Sequence, residues 1–240
     1  MATKKKISIP SIIAAISFIY LAFTPIVIDP FLNLIMGNSF ADVIRHSISS
    51  MLSLRSIICF WSYIIIVVGI FTKFDKIAVA VSGALFWFNT LISFIETIIH
   101  SIRYHYTLGF GGVVSALSYL LADFLVFAIA LWLTILFFKK KETPKFLKIV
   151  AFAPVAVFAL ILFFSFFSDI SNIISVISAI GVNIRYLLNT LIINLSGMFD
   201  RLVLVIGYAA VMIKLTDLKK KPKNTVEISE NVVIENVTAE

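Results

Sequence analysis

Val113–Phe138 reads VVSALSYLLADFLVFAIALWLTILFF, 26 residues with a single charged side chain, Asp123. About 20 apolar residues in a helix cross the hydrocarbon core of a bilayer. A run this long and continuous also lacks the alternation, in segments of about ten residues, that a membrane barrel needs. The stretch is therefore expected to be a transmembrane helix. At about 1.5 Å per residue, Asp123 falls near its midplane, where an ionisable group is costly and is a functional suspect by default.

The rest of the chain agrees with that reading. Of its 240 residues, 60% are hydrophobic and 14% charged, against about 45–50% and about 25% in soluble domains. The expected fold is all-α, a polytopic transmembrane helical bundle of about six spans. The spans are read at 7–28, 54–72, 77–100, 113–138, 146–167 and 202–218. Lys4, Lys5 and Lys6 precede the first apolar run as they would in a signal peptide. That run is too long, and no small-residue cleavage site follows it, so an uncleaved first span is expected. Cys59 is the one cysteine, which excludes an intramolecular disulfide and a thiolate cluster. No repeat of fixed period stands out, so an inverted-repeat transporter is not indicated.

Charge fixes the expected orientation. Threaded in this way, all fifteen lysines fall on one side together with seven acids. The five arginines (Arg45, Arg55, Arg103, Arg185, Arg201) fall on or near the other side or within the spans, with six acids. Basic residues in short loops mark the cytoplasmic face. The chain is thus expected in the cell membrane as a multi-pass protein with both termini cytoplasmic. Its net charge of +7 is a topology signal rather than a nucleic-acid footprint, and no nucleic-acid partner is expected. Residues 1–218 form a single transmembrane domain in this reading, and the polar stretch 219–240 is a disordered cytoplasmic tail.

Two outer connections are long. In the first, Phe40, Val43, Ile44, Ile48, Met51 and Leu52 recur at helical spacing, which predicts an amphipathic helix on the outer surface. The second, 168–201, is apolar but interrupted by serines, asparagines and Arg185. It is open between a surface helix, a re-entrant hairpin and two further helices. A last span that begins near Leu187 is a further alternative, and it would bury Asp200 and Arg201 as a pair.

The candidate site residues are Asp123, Asn89, Glu96, His100, Arg103 and Tyr119. Asn89, Ser93, Glu96, His100 and Arg103 are spaced by four, three, four and three, which places them on one helical face. Antiparallel to the fourth span, that face is expected to meet Ser115, Ser118 and Tyr119, with Asn89 at the depth of Asp123 and bonded to it. The alternative is that such polar stripes only hold helices together, at about 0.6 kcal/mol per hydrogen bond. No cofactor and no metal are expected. Glu96 and His100, even with His105 or His46, lack the spacing of a metal-binding helix.

Three functions remain open on these grounds. The first is transport of a small solute or ion, alone or as the membrane subunit of a transporter. The second is a non-catalytic accessory, immunity or assembly protein. The third is an intramembrane enzyme that uses Glu96, His100 and His105 near the outer interface. Besides the lipid bilayer, a protein partner or a second copy of the chain is compatible with the sequence.

Overall fold

The computed structural model describes residues 8–104, 110–178 and 184–216; His105 and the expected tail 219–240 lie outside the described residues. The protein is all-helical, about 90% helix, and no strand occurs among the described residues. The order is α1 (Ile9–Phe23), a π-helical turn (Thr24–Ile28), α2 (Asp29–Ile35), α3 (Phe40–Met51), α4 (Leu54–Ile70) and α5 (Asp75–Tyr104). Then come α6 (Phe110–Phe138), α7 (Lys145–Val150), α8 (Ala153–Ser178) and α9 (Ile184–Leu215).

Local chemistry sets several of these boundaries. Ser8 caps α1 through the Ser11 amide, and Pro10 sits in the first turn, where no amide donor is needed. Ser53 caps α4 in the same way through Ser56. At α3 the Ser39 hydroxyl accepts from the Asp42 amide at 3.2 Å and donates to the Asp42 carboxylate at 2.6 Å, so the outer amphipathic helix begins on a reciprocal cap.

The long helices form a closed ring in chain order. α1 packs on α4, α4 on α5, α5 on α6, α6 on α8, α8 on α9, and α9 returns to α1. One aromatic ring from each helix meets at the centre. Phe86 of α5 lies 4.8 Å from Tyr63 of α4, and Tyr63 lies 5.7 Å from Phe18 of α1. Phe18 lies 5.2 Å from Tyr208 of α9, which stacks at 5.0 Å on Phe158 of α8, and Tyr119 of α6 completes the chain at 6.4 Å. Beyond this chain, towards the start of α1 and the end of α9, the ring is filled by buried aliphatic side chains, Ile70, Val79, Leu133, Leu147, Met212 and Leu215 among them. Towards the other end it opens around the π-helical turn, with α3 laid across α2, that turn and the start of α4.

The outer surface is apolar. Ile16, Phe164 and Ile177 are more than half exposed, as are many others. Four helical stretches are long and apolar enough to cross a membrane, Ile9–Ile35, Asp75–Arg103, Val113–Phe138 and Lys145–Ser178. A fifth is reached if α3 and α4, bent by 76°, count as one span. These helices are compatible with a membrane protein. The connection 168–201 is not a separate element: 168–178 continues α8, and 184–201 is the first half of α9. Asp200 and Arg201 do not pair with each other; each is engaged by a different helix.

Gly83 lets α5 and α6 approach. A methyl group placed there would stand 2.9 Å from the backbone of Phe127, which cannot rotate away. Gly83→Ala should therefore destabilise the fold by about 1–3 kcal/mol, as overpacking does. The check is the melting temperature in detergent. An unchanged melting temperature would mean that α5 and α6 do not pack this closely.

Candidate functional site

Asp123 is 7% exposed and accepts a hydrogen bond of 2.6 Å from the Thr90 hydroxyl of α5. The sequence pointed to Asn89 as its partner. Asn89 is indeed buried, at 8% exposure, but its amide donates to Cys59 Sγ of α4 at 3.2 Å. The reason is rotation: consecutive helical residues point about 100° apart, so Asn89 serves one neighbour and Thr90 the other. Glu96 also turns towards α4: it pairs with Arg55 at 2.6 Å rather than facing Ser115 and Ser118. Ser118 donates to the Val114 carbonyl of its own helix. His100 and Arg103 are exposed near the end of α5. Tyr119 is half-buried in the aromatic chain, with Arg201 in reach of its hydroxyl. The six candidates therefore do not gather into one site. Asn89, Thr90 and Asp123 join α4, α5 and α6, together with the bond from the Ser82 hydroxyl to the Ser62 carbonyl at 2.9 Å.

The cavity lies elsewhere, at a π-helical turn in the first helical stretch. Pro25 and Pro30 carry no amide hydrogen, so two backbone donors are missing from the stretch that joins α1 to α2. The helix widens there to the π-helical turn, closed by the Asp29 amide on the Thr24 carbonyl. Such turns are rare and are frequent at functional sites. A cavity of about 360 Å³ lies between this turn and α9. Its polar lining is Asp29 and Asn33 of α2, Ser47 of α3, and Ser196 and Asp200 of α9, with no basic side chain among the described residues. A second cavity of about 310 Å³ shares Pro25 and Asp200 with the first and is lined by Arg55, Cys59 and Tyr63 of α4. Tyr63 belongs to the central aromatic chain, so the chain bounds this second space.

Asp200 is the charged residue common to both cavities, and it is held in place. The Tyr20 hydroxyl donates to its carboxylate at 2.8 Å, and the Tyr20 ring packs edge-on against Phe199 at 5.3 Å. One position on, Arg201 donates to the Asp169 carboxylate of α8 at 2.8 Å. Asp169 is 8% exposed, so this pair is largely removed from solvent. Asp29, Asp200, Tyr20, Asp169 and Arg201 were not among the sequence candidates for a site. The available signal was Asp29 set between two prolines, and Asp200–Arg201 inside an apolar run. Among the described residues, no group of three His, Cys, Asp or Glu side chains is placed to hold a metal ion.

No family model matches the chain, and neither a curated protein nor a solved structure does.

Two of the inter-helix ion pairs differ in environment, which gives a test. Arg55 and Glu96 are 47% and 58% exposed, and an exposed pair of this kind contributes about 0–1 kcal/mol. Removing Arg201 leaves the Asp169 carboxylate buried without its partner, which costs about 3–5 kcal/mol. In thermal melts Arg201→Ala should therefore be much the less stable variant and Glu96→Gln close to the parent. Equal losses would contradict this difference in burial.

Proposed function

We propose that the chain is a membrane transport protein for a small cationic solute, acting alone or as the membrane subunit of a larger transporter. The observation that carries the reading is the cavity with a carboxylate on either wall, Asp29 and Asp200, beside the π-helical turn of the first helical stretch. Such turns inside a longer helix are frequent at functional sites. A volume of about 360 Å³ lies in the range of small-molecule sites. Two carboxylates, with no basic side chain among the described residues of the lining, favour a positive charge.

The reading includes the topology. Six spans, formed by α1 with α2, by α4, α5, α6, by α7 with α8, and by α9, place both termini on the cytoplasmic side of the cell membrane. The lysines support this. Lys214 of α9 lies 3.9 Å from the Asp75 carboxylate of α5, and Lys76 of α5 lies over the Phe137 ring of α6, so basic residues from two helices share one end with the close of α6. Arg55 and Arg185 belong to the other end, where the cavity lies. With aliphatic packing at the lysine end and a cavity at the arginine end, the reading takes this conformation as an occluded one whose site lies nearer the outer side.

A second reading has an observation of its own. Phe40 and Leu52 beside α3 are 68% and 72% exposed, and Ile44 and Ile48 add to the same outer apolar surface. This favours an accessory or assembly role in which a partner protein or a second copy covers α3. The enzyme reading has less support, since Arg55 already engages Glu96.

The test is uptake into proteoliposomes of radiolabelled methylammonium and tetraethylammonium, with sodium and potassium as the inorganic arm. Uptake above that of empty liposomes is expected for an organic cation. Asp200→Asn and Asp29→Asn should each lower it at least tenfold, and Glu142→Gln, on the exposed connection after α6, should not. Uptake that survives both aspartate changes would remove the cavity from the mechanism. If none of these cations moves, the accessory reading takes precedence, and a partner should co-purify in mild detergent.

A further inference from the structure

One side chain bridges the two walls that flank the first cavity. Arg185, in the first turn of α9, donates from Nη2 to the carbonyl of Met36 at 3.0 Å and to the carbonyl of Gly37 at 2.9 Å. These carbonyls belong to the turn between α2 and α3. The chain reverses there at Gly37, whose φ of +82° is in the left-handed region that suits glycine. The Gly37 amide returns to the Leu34 carbonyl at 2.9 Å, which ends α2 and leaves the two carbonyls for the arginine. Asn33, Met36 and Ser47 form the α2–α3 wall of the cavity, and Ile192, Ser196 and Asp200 form the α9 wall. Arg185 therefore ties the two walls together at their outer edge, about two helical turns from Ile192.

We infer that Arg185 is a latch: it holds the α2–α3 segment over the cavity, and its release opens the site from the arginine end. It is a positioning residue, outside the cavity lining, that controls access. Three features favour a latch over a fixed brace. Both carbonyls and the guanidinium are exposed, so water can replace the bonds when they break. The α3 segment leans on α2, the π-helical turn and the start of α4, outside the closed ring of long helices. The π-helical turn lies at the base of this segment, where Pro25 and Pro30 already remove backbone donors and leave fewer bonds to resist bending.

The inference builds on the cavity as a solute site, but its test does not require transport. In a Cys59→Ser background, Ser196→Cys places a thiol on the cavity wall. The measurement is its rate of modification by a trimethylammonium-bearing methanethiosulfonate in the full-length protein in detergent. Arg185→Gln should raise that rate at least fivefold, and Arg185→Lys should fall between. Gly37→Ala is an independent break, because its methyl group would collide with Arg185 Nη2 and the backbone there is strained for alanine. It should raise the rate as well, and it decides the matter if Arg185→Gln melts far below the parent. A control thiol, Ser115→Cys on the exposed side of α6, should react at the same rate in every background. Unchanged rates at Ser196→Cys in both variants would overturn the latch. A rise at both reporters would also overturn it, because that is general loosening. A rise confined to the cavity, in a protein that moves no cation, would keep the latch and remove the transport reading.

Discussion

Each helix of the closed ring places one aromatic side chain at the centre, and the rings of Phe86, Tyr63, Phe18, Tyr208, Phe158 and Tyr119 touch in that order. Aromatic pairs at these separations are worth about 0.5–1.5 kcal/mol beyond the area they bury. Within lipid, where apolar burial between helices gives little drive, such packing would carry much of the association. The chain of rings also divides the interior. On one side the helices close around aliphatic side chains. On the other they diverge, and the divergence leaves space for the π-helical turn, the bent α2–α3 segment and the cavities. Without a filled centre, the π-helical turn would have no floor against which to form a site.

Polar groups reinforce this division in two ways. In the middle of the bundle they are short and mostly buried: Ser82 to Ser62, Asn89 to Cys59, Thr90 to Asp123. Each satisfies a group that would otherwise be stranded in an apolar interior, and each binds one helix to the next. At the open end the contacts are longer side chains that reach across gaps: Arg55 to Glu96, Arg201 to Asp169, Tyr20 to Asp200. Of the acids in the second group, Asp200 lines both cavities, and Asp29 supplies the other carboxylate of the first.

Much of the helical layout was legible in the sequence, because bilayer thickness demands a minimum apolar length and runs such as Val113–Phe138 meet it without interruption. The amphipathic helix before α4 was legible for a related reason: Phe40, Val43, Ile44 and Ile48 repeat with helical period. The shared face of Asn89, Glu96 and His100 followed from the same arithmetic. What periodicity does not encode is which neighbour a face meets. A turn of one residue separates Asn89, which reaches Cys59, from Thr90, which reaches Asp123. The cavity was less legible still. The bond between Tyr20 and Asp200 joins residues 180 positions apart, and no local pattern announces such a pair. Pro25, Asp29 and Pro30 stand in plain view at the end of the first apolar run, but nothing in their spacing marks them as the wall of a site.

The molecule is mechanically unequal. α4, α5 and α6 are riveted together by hydroxyl and amide bonds at several depths, and Gly83 seats α5 directly on the backbone of α6. On the other side of the ring, α1 runs into the π-helical turn, where two prolines leave backbone donors missing, and it is tied to α9 by the Tyr20–Asp200 contact near that turn. Strain applied to the bundle, whether by a thinner bilayer, lateral pressure or a bound molecule, is therefore not shared evenly. The three riveted helices act as a frame, and deformation concentrates where α1 meets α9, beside the two cavities.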